Sequence, residues 1–163
     1  MLRQACRLIP FERSIPAGVQ ISAELVWRRE GWLELSYGVL ARAAKGIGVL
    51  KLPAGLNDGP QQGQRKNELW TTTCFEAFIA APGEQRYWEV NLAANGDWAL
   101  YRFDGYRSGQ TQQELSTPPT VRLQRGLHQL RLDARIALEP WCSSVSPKRW
   151  SNSSTPWSNL LRS

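Results

Sequence analysis

The sequence predicts an all-β protein, an antiparallel β-sandwich. Three observations predict it. Apolar and polar residues alternate with period two through most of the apolar segments. Turn-forming residues separate these segments at short intervals. No stretch carries the three-to-four spacing of an amphipathic helix. At 163 residues the chain has the length of one domain, and 42% apolar residues fill a core without covalent staples.

Taken in order, Ile21, Ala23, Leu25 and Trp27 alternate with Gln20, Ser22, Glu24 and Arg28. Glu30-Gly31 turns the chain, and Leu33, Leu35 and Tyr37 resume the alternation, which predicts a hairpin of half-buried strands. Residues 47–53, IGVLKLP, read as a further short strand. Residues 54–68 form a polar loop rich in Gly, Pro, Asn and Gln, longer than an ordinary connection. CFEAFIAAPGEQRYWEVNL predicts two strands joined by APGEQ, and AANGDWALYRF supplies the next. Asn95-Gly96 favours a two-residue type I′ turn, because both central positions need positive φ. Counting outward from that turn puts Glu89 opposite Arg102 and Trp88 opposite Phe103. Trp88, Val90, Tyr101 and Phe103 then share a core face, and Glu89 pairs with Arg102 on the other. Residues 104–119 are a second long polar loop. Residues 120–138 read as two strands turning at Arg125-Gly126, with Leu130, Leu132, Ala134 and Ile136 on one face. The expected total is about eight strands.

The pattern changes near residue 140, dividing the chain into a β-domain, 1–140, and a tail, 141–163. The tail holds eight serines, Trp141, Trp150 and Trp157, and no acid, and is expected to be irregular. Net charge is +6. All 14 acids and 17 of the 20 Lys and Arg precede the tail, where arginines and acids interleave. That reads as a solvated surface, and nucleic acid is not an expected partner. Cys6, Cys74 and Cys142 are odd in number and form no CxxC, which suggests reduced thiols and a cytoplasmic location. No apolar run approaches membrane-spanning length, and the N-terminus shows no secretory h-region. His128 is the only histidine, so no zinc site is expected.

The segment LWTTTCFEAFIAAPGEQRYWEVNLAANGDWALYRFDGY, Leu69 to Tyr106, resembles the DOMON-like proteins related to family-nine carbohydrate-binding modules. The shared features are a Trp, a short spacer, a Cys-Phe-Glu strand, an aromatic-Glu strand and a turn carrying Asn95, Gly96 and Trp98. The resemblance implies an immunoglobulin-like or jelly-roll sandwich and non-catalytic binding of a sugar or glycan. It also implies a site at Trp70 and Glu76, which keep the family's spacing of six, with Arg102 as a donor to sugar hydroxyls. Haem-binding relatives use Met and His. Here the sole methionine is Met1, so no cofactor is expected. The tail departs from the family's ending, which suggests a divergent or frame-shifted end lacking the last strand or two.

A sugar offers a C–H face for stacking and an edge of hydroxyls for paired hydrogen bonds. An indole, a carboxylate and a guanidinium are an adequate set. Six extended residues span about 20 Å, so Trp70 and Glu76 share a site only if the TTT segment bends or Trp70 belongs to the preceding loop. Two alternatives stand beside this reading. One is a protein-interaction module using exposed aromatics and the two long loops. The other is a glycan-processing hydrolase with Glu76 and Glu89 as its carboxyl pair. Cys74 reads as a small strand residue, not a nucleophile.

Overall fold

A computed structural model describes residues 1–9, 18–42, 44–81 and 83–139. Within them the chain is the expected antiparallel β-sandwich. Its strands are β1 (Leu2–Leu8), β2 (Val19–Arg28), β3 (Trp32–Ala41), β4 (Gly59–Gln61) and β5 (Cys74–Ala80). They continue as β6 (Tyr87–Ala93), β7 (Trp98–Phe103), β8 (Thr111–Gln112), β9 (Thr120–Arg125) and β10 (Gln129–Ala137). Six pair in the order β1-β2-β3-β10-β9-β4, and four in the order β5-β6-β7-β8. The tail, 141–163, lies outside the described residues.

The alternation read from the sequence builds the layer between the sheets. Leu33, Leu35, Tyr37 and Val39 of β3 and Leu130, Leu132, Ala134 and Ile136 of β10 are buried. They pack with Phe75, Ala77 and Ile79 of β5, Trp88, Val90 and Leu92 of β6, and Trp98 and Leu100 of β7. Burying each large apolar side chain contributes roughly 1.5–3 kcal/mol. Tyr37 reaches across the layer: its hydroxyl donates to the Glu76 carbonyl at 2.8 Å, and its ring meets Phe75 at 5.2 Å. Burial pushes the Tyr37 phenol far above its ordinary pKa, so it stays a donor.

The sequence reading departs from the structure in several places. IGVLKLP is not a strand. Gly46–Val49 is a 3-10 turn, and the Ile47 N–H donates to the Leu127 carbonyl instead of to a neighbouring strand. Two short strands lie inside the polar loops: β4 pairs with β9, and β8 with β7. β1 was not anticipated. The β9–β10 turn has its tip at Leu127-His128, where the Gly126 N–H donates to the Gln129 carbonyl at 2.8 Å.

The correction that matters most is in the β6–β7 hairpin. Gly96 takes a positive φ of 87°, but Asn95 does not. The Gly96 N–H donates to the Ala93 carbonyl at 3.0 Å, and the Ala93 N–H donates to the Asp97 carbonyl at 2.8 Å. The loop is therefore Ala94-Asn95-Gly96, a three-residue connection with glycine at the left-handed position. The β2–β3 hairpin turns the same way, with Arg28 paired to Trp32 and Gly31 at φ 80°. One extra loop residue slips the register by one and moves all of β7 to the opposite face. Glu89 faces Tyr101, not Arg102; Trp88 faces Arg102; Tyr87 faces Phe103. Trp88 and Val90 thus share their face with Leu100 and Arg102, and Tyr101 and Phe103 share theirs with Glu89.

Candidate functional site

The slipped register makes the four-stranded sheet apolar on both faces. Its inner face enters the core. Its outer face carries a second cluster of Leu69, Ala93, Ala99, Tyr101 and Phe103, flanked by Cys74 and Tyr87. Three rings cross three strands there. Tyr87 and Phe103 stack at 4.7 Å with planes 3° apart, and Phe78 tilts against Tyr87 at 6.1 Å. A groove of about 700 Å³ runs over them. β5 supplies Glu76 and Phe78, β6 supplies Tyr87 and Glu89, and β7 supplies Phe103. The following loop adds Tyr106, Arg107 and Gln110, and Trp70 of the segment before β5 lines it as well.

The chain bends before β5, as a shared site for Trp70 and Glu76 requires. Glu68 adopts a left-handed φ of 59°, and Leu69–Thr71 forms a single 3-10 turn. The Thr71 and Thr72 hydroxyls donate back to the Glu68 and Leu69 carbonyls. Leu69 is buried in the outer cluster and holds the turn down, while the adjacent indole of Trp70 is 52% exposed. Thr73 fastens the exit: its N–H donates to the Lys51 carbonyl, and its hydroxyl accepts from the Lys51 N–H. Arg102, the third residue the resemblance implies, is not among the lining residues. It lies on the face of Trp88 and makes an ion pair with Asp104 at 3.5 Å. Arg107 and Gln110 are the donors at the rim in its place. The alternation in CFEAFIA already puts Glu76 and Phe78 on one face. The alternation in YWEV likewise puts Tyr87 on the face of Glu89, whereas Phe103 reaches that face only through the slipped register.

The polar floor has three members. Glu76 faces Asn91 across the β5–β6 ladder, and Glu89 lies one diagonal step away on the same face. The Asn91 amide donates to Glu89 Oε1 at 2.8 Å. Asn91 is fully buried, and its Oδ1 has no hydrogen-bond partner among the described residues. Burial first, and then the charge of Glu89, push the Glu76 carboxyl up to about 7 against a hydrogen bond from Cys74 that lowers it. Burial and the Glu76 charge push the Cys74 thiol up to about 12, so it is no thiolate at neutral pH. Among the described residues, no group of three or more His, Cys, Asp and Glu gathers into a metal site.

The raised Glu76 carboxyl has a consequence for stability. The folded state holds this proton more tightly than the unfolded chain, where a Glu titrates near 4.3. The associated stabilisation is complete below that value and disappears as pH rises through about 7. Glu76→Gln is expected to raise stability at pH 8 by about 1–3 kcal/mol, allowing for solvent screening, and to change it little at pH 4. Urea unfolding at both pH values checks this; an equal effect at the two would show that Glu76 is not buried as described.

No protein-family model matches the chain, and no curated protein matches it. Among solved structures the chain is similar to a Bacteroides uniformis protein to which carbohydrate binding is attributed, at 12% identity and a TM-score of 0.48. The match covers 95% of this chain and 64% of the other, so the chain spans less than two thirds of that protein's length. At that identity too few residues are shared to carry a ligand from one chain to the other.

Proposed function

We propose that the chain is a non-catalytic carbohydrate-binding domain of the DOMON-like kind, with its sugar seat on the outer face of the four-stranded sheet. The observation that supports this most is that Trp70 and Glu76, six residues apart, line one open groove. A half-exposed indole and a floor of stacked rings suit the C–H face of a sugar. Glu76, Glu89, Arg107 and Gln110 provide acceptors and donors for its hydroxyls. Calorimetric titration with neutral and amino mono- and disaccharides is expected to show binding that Trp70→Ala weakens at least thirtyfold, the scale of a truncated aromatic anchor. Binding unchanged in that variant would remove the site from this groove, and no binding to any of these sugars would remove the function.

One observation favours a second reading, a glycan-processing hydrolase. Glu76 is raised to about 7 beside Glu89, and Glu89 lacks the Arg102 partner that would have set it aside as a structural ion. Turnover of a chromogenic glycoside, lost in Glu76→Gln, would establish hydrolysis; the binding-domain reading expects none. Capture of a protein partner with no response to sugar would favour the interaction-module reading instead.

A further inference from the structure

We propose that the ligand of this groove is an amino sugar, bound with its protonated amine between Glu76 and Glu89. The inference rests on the saccharide reading and narrows it to a cationic class.

The chain has an excess of cations, and among the described residues seven ion pairs engage Glu24, Glu34, Asp58, Asp97, Asp104, Glu114 and Asp133. Glu76 and Glu89 belong to none of them, although they are neighbours on one sheet face. Arg102, which the sequence placed against Glu89, points into the other face. Arg107 lies at the rim with its guanidinium 5.5 Å from the Tyr106 ring centre. Burial first, and then the unpaired neighbour Glu89, raise the affinity of Glu76 for protons.

Hydrogen-bonding valence points the same way. The Asn91 amide spends one of its two N–H donors on Glu89, and its buried Oδ1 has no partner among the described residues. The strand side chains that line the groove beside it, Glu76 and Glu89, offer carboxyl oxygens as acceptors. An ammonium carries three donors and no acceptor, so it matches two neighbouring carboxyl groups at once. The groove is also aromatic: Trp70, Phe78, Tyr87 and Phe103 line it beside the acids, and aromatic rings attract cations. The other titratable groups near the pair are Cys74 and Tyr37, which feel the Glu76 charge, Tyr87 and Tyr101, which feel Glu89, and Tyr106 and Arg107 of the loop after β7; Arg107 lines the groove, while Arg65 acts on Tyr101 from outside it. The whole chain is positive, so general electrostatics disfavours a cationic ligand, and a preference for one has to arise locally.

The test is calorimetric titration of the full chain at pH 7 with β-linked trimers of glucosamine, N-acetylglucosamine and glucose. The expected result is at least tenfold tighter binding of glucosamine, falling to within about twofold of the neutral trimers in Glu89→Gln and in Glu76→Gln. Equal binding of the three trimers overturns the amine and leaves the saccharide seat standing. Binding of none overturns both. The ligand comparison is made on the unaltered chain, so it does not depend on either variant folding.

Discussion

Trp88→Ala is expected to cost about 3–5 kcal/mol of folding stability, the range for removing a large aromatic from a packed core. Trp88 is 3% exposed and lies on the inner face of β6 between the sheets. Its indole N–H also donates to Gln113 Oε1 at 3.4 Å, linking β6 to the segment after β8. A domain of this size has roughly 5–15 kcal/mol in total, so the variant should sit close to the folding threshold. Trp70→Ala, on the outer face and half exposed, should change stability by no more than about 0.5 kcal/mol. The two variants thus separate what tryptophan does for the fold from what it does for the ligand. Urea unfolding followed by far-ultraviolet circular dichroism measures both. A Trp88→Ala midpoint near that of the unaltered chain would mean that the four-stranded sheet does not pack through this face.

Gly63→Ala is the second substitution with a large expected effect. The segment after β4 crosses the tip of the β6–β7 hairpin, and a Cβ at Gly63 would lie 1.8 Å from the Gly96 carbonyl carbon and 2.2 Å from the Asp97 nitrogen. Both are backbone atoms in a tight turn, so no side-chain rotation relieves the clash. Around the contact, the Gln64 N–H donates to Asp97 Oδ1, the Trp98 N–H to the Gln64 carbonyl, and the Lys66 N–H to the Trp98 carbonyl. Overpacking here should cost about 1–3 kcal/mol, and more if the bridge opens. Gly48→Ala is the matched control: among the described residues nothing lies within 4 Å of a Cβ placed there, so it should be neutral or slightly stabilising. Equal thermal midpoints for the two variants would show that the loop does not close on the hairpin.

This contact also bears on how much of the molecule could be read in advance. The alternation in β2, β3, β5 and β10 was legible because period two has one physical meaning in a half-buried strand. The short edge strands β4 and β8 were not, since their pairing is made by backbone groups whatever the side chains. Asn95-Gly96 is compatible with a two-residue or a three-residue turn, and local preference chose the wrong one. Gly63 packed on Gly96 and Asp97 held by Gln64 belong to the three-residue turn instead.

What the sequence by itself determined is the fold class, the hairpin positions and the face shared by Glu76 and Phe78, because side-chain alternation and turn chemistry are local. What only the tertiary structure decided is the site. A single residue of register turned Arg102 away from Glu89 and brought Phe103 over Tyr87. A left-handed Glu68 and a buried Leu69 folded Trp70 back toward Glu76. Both depend on which distant segment each turn rests against, and no window of local sequence contains that information.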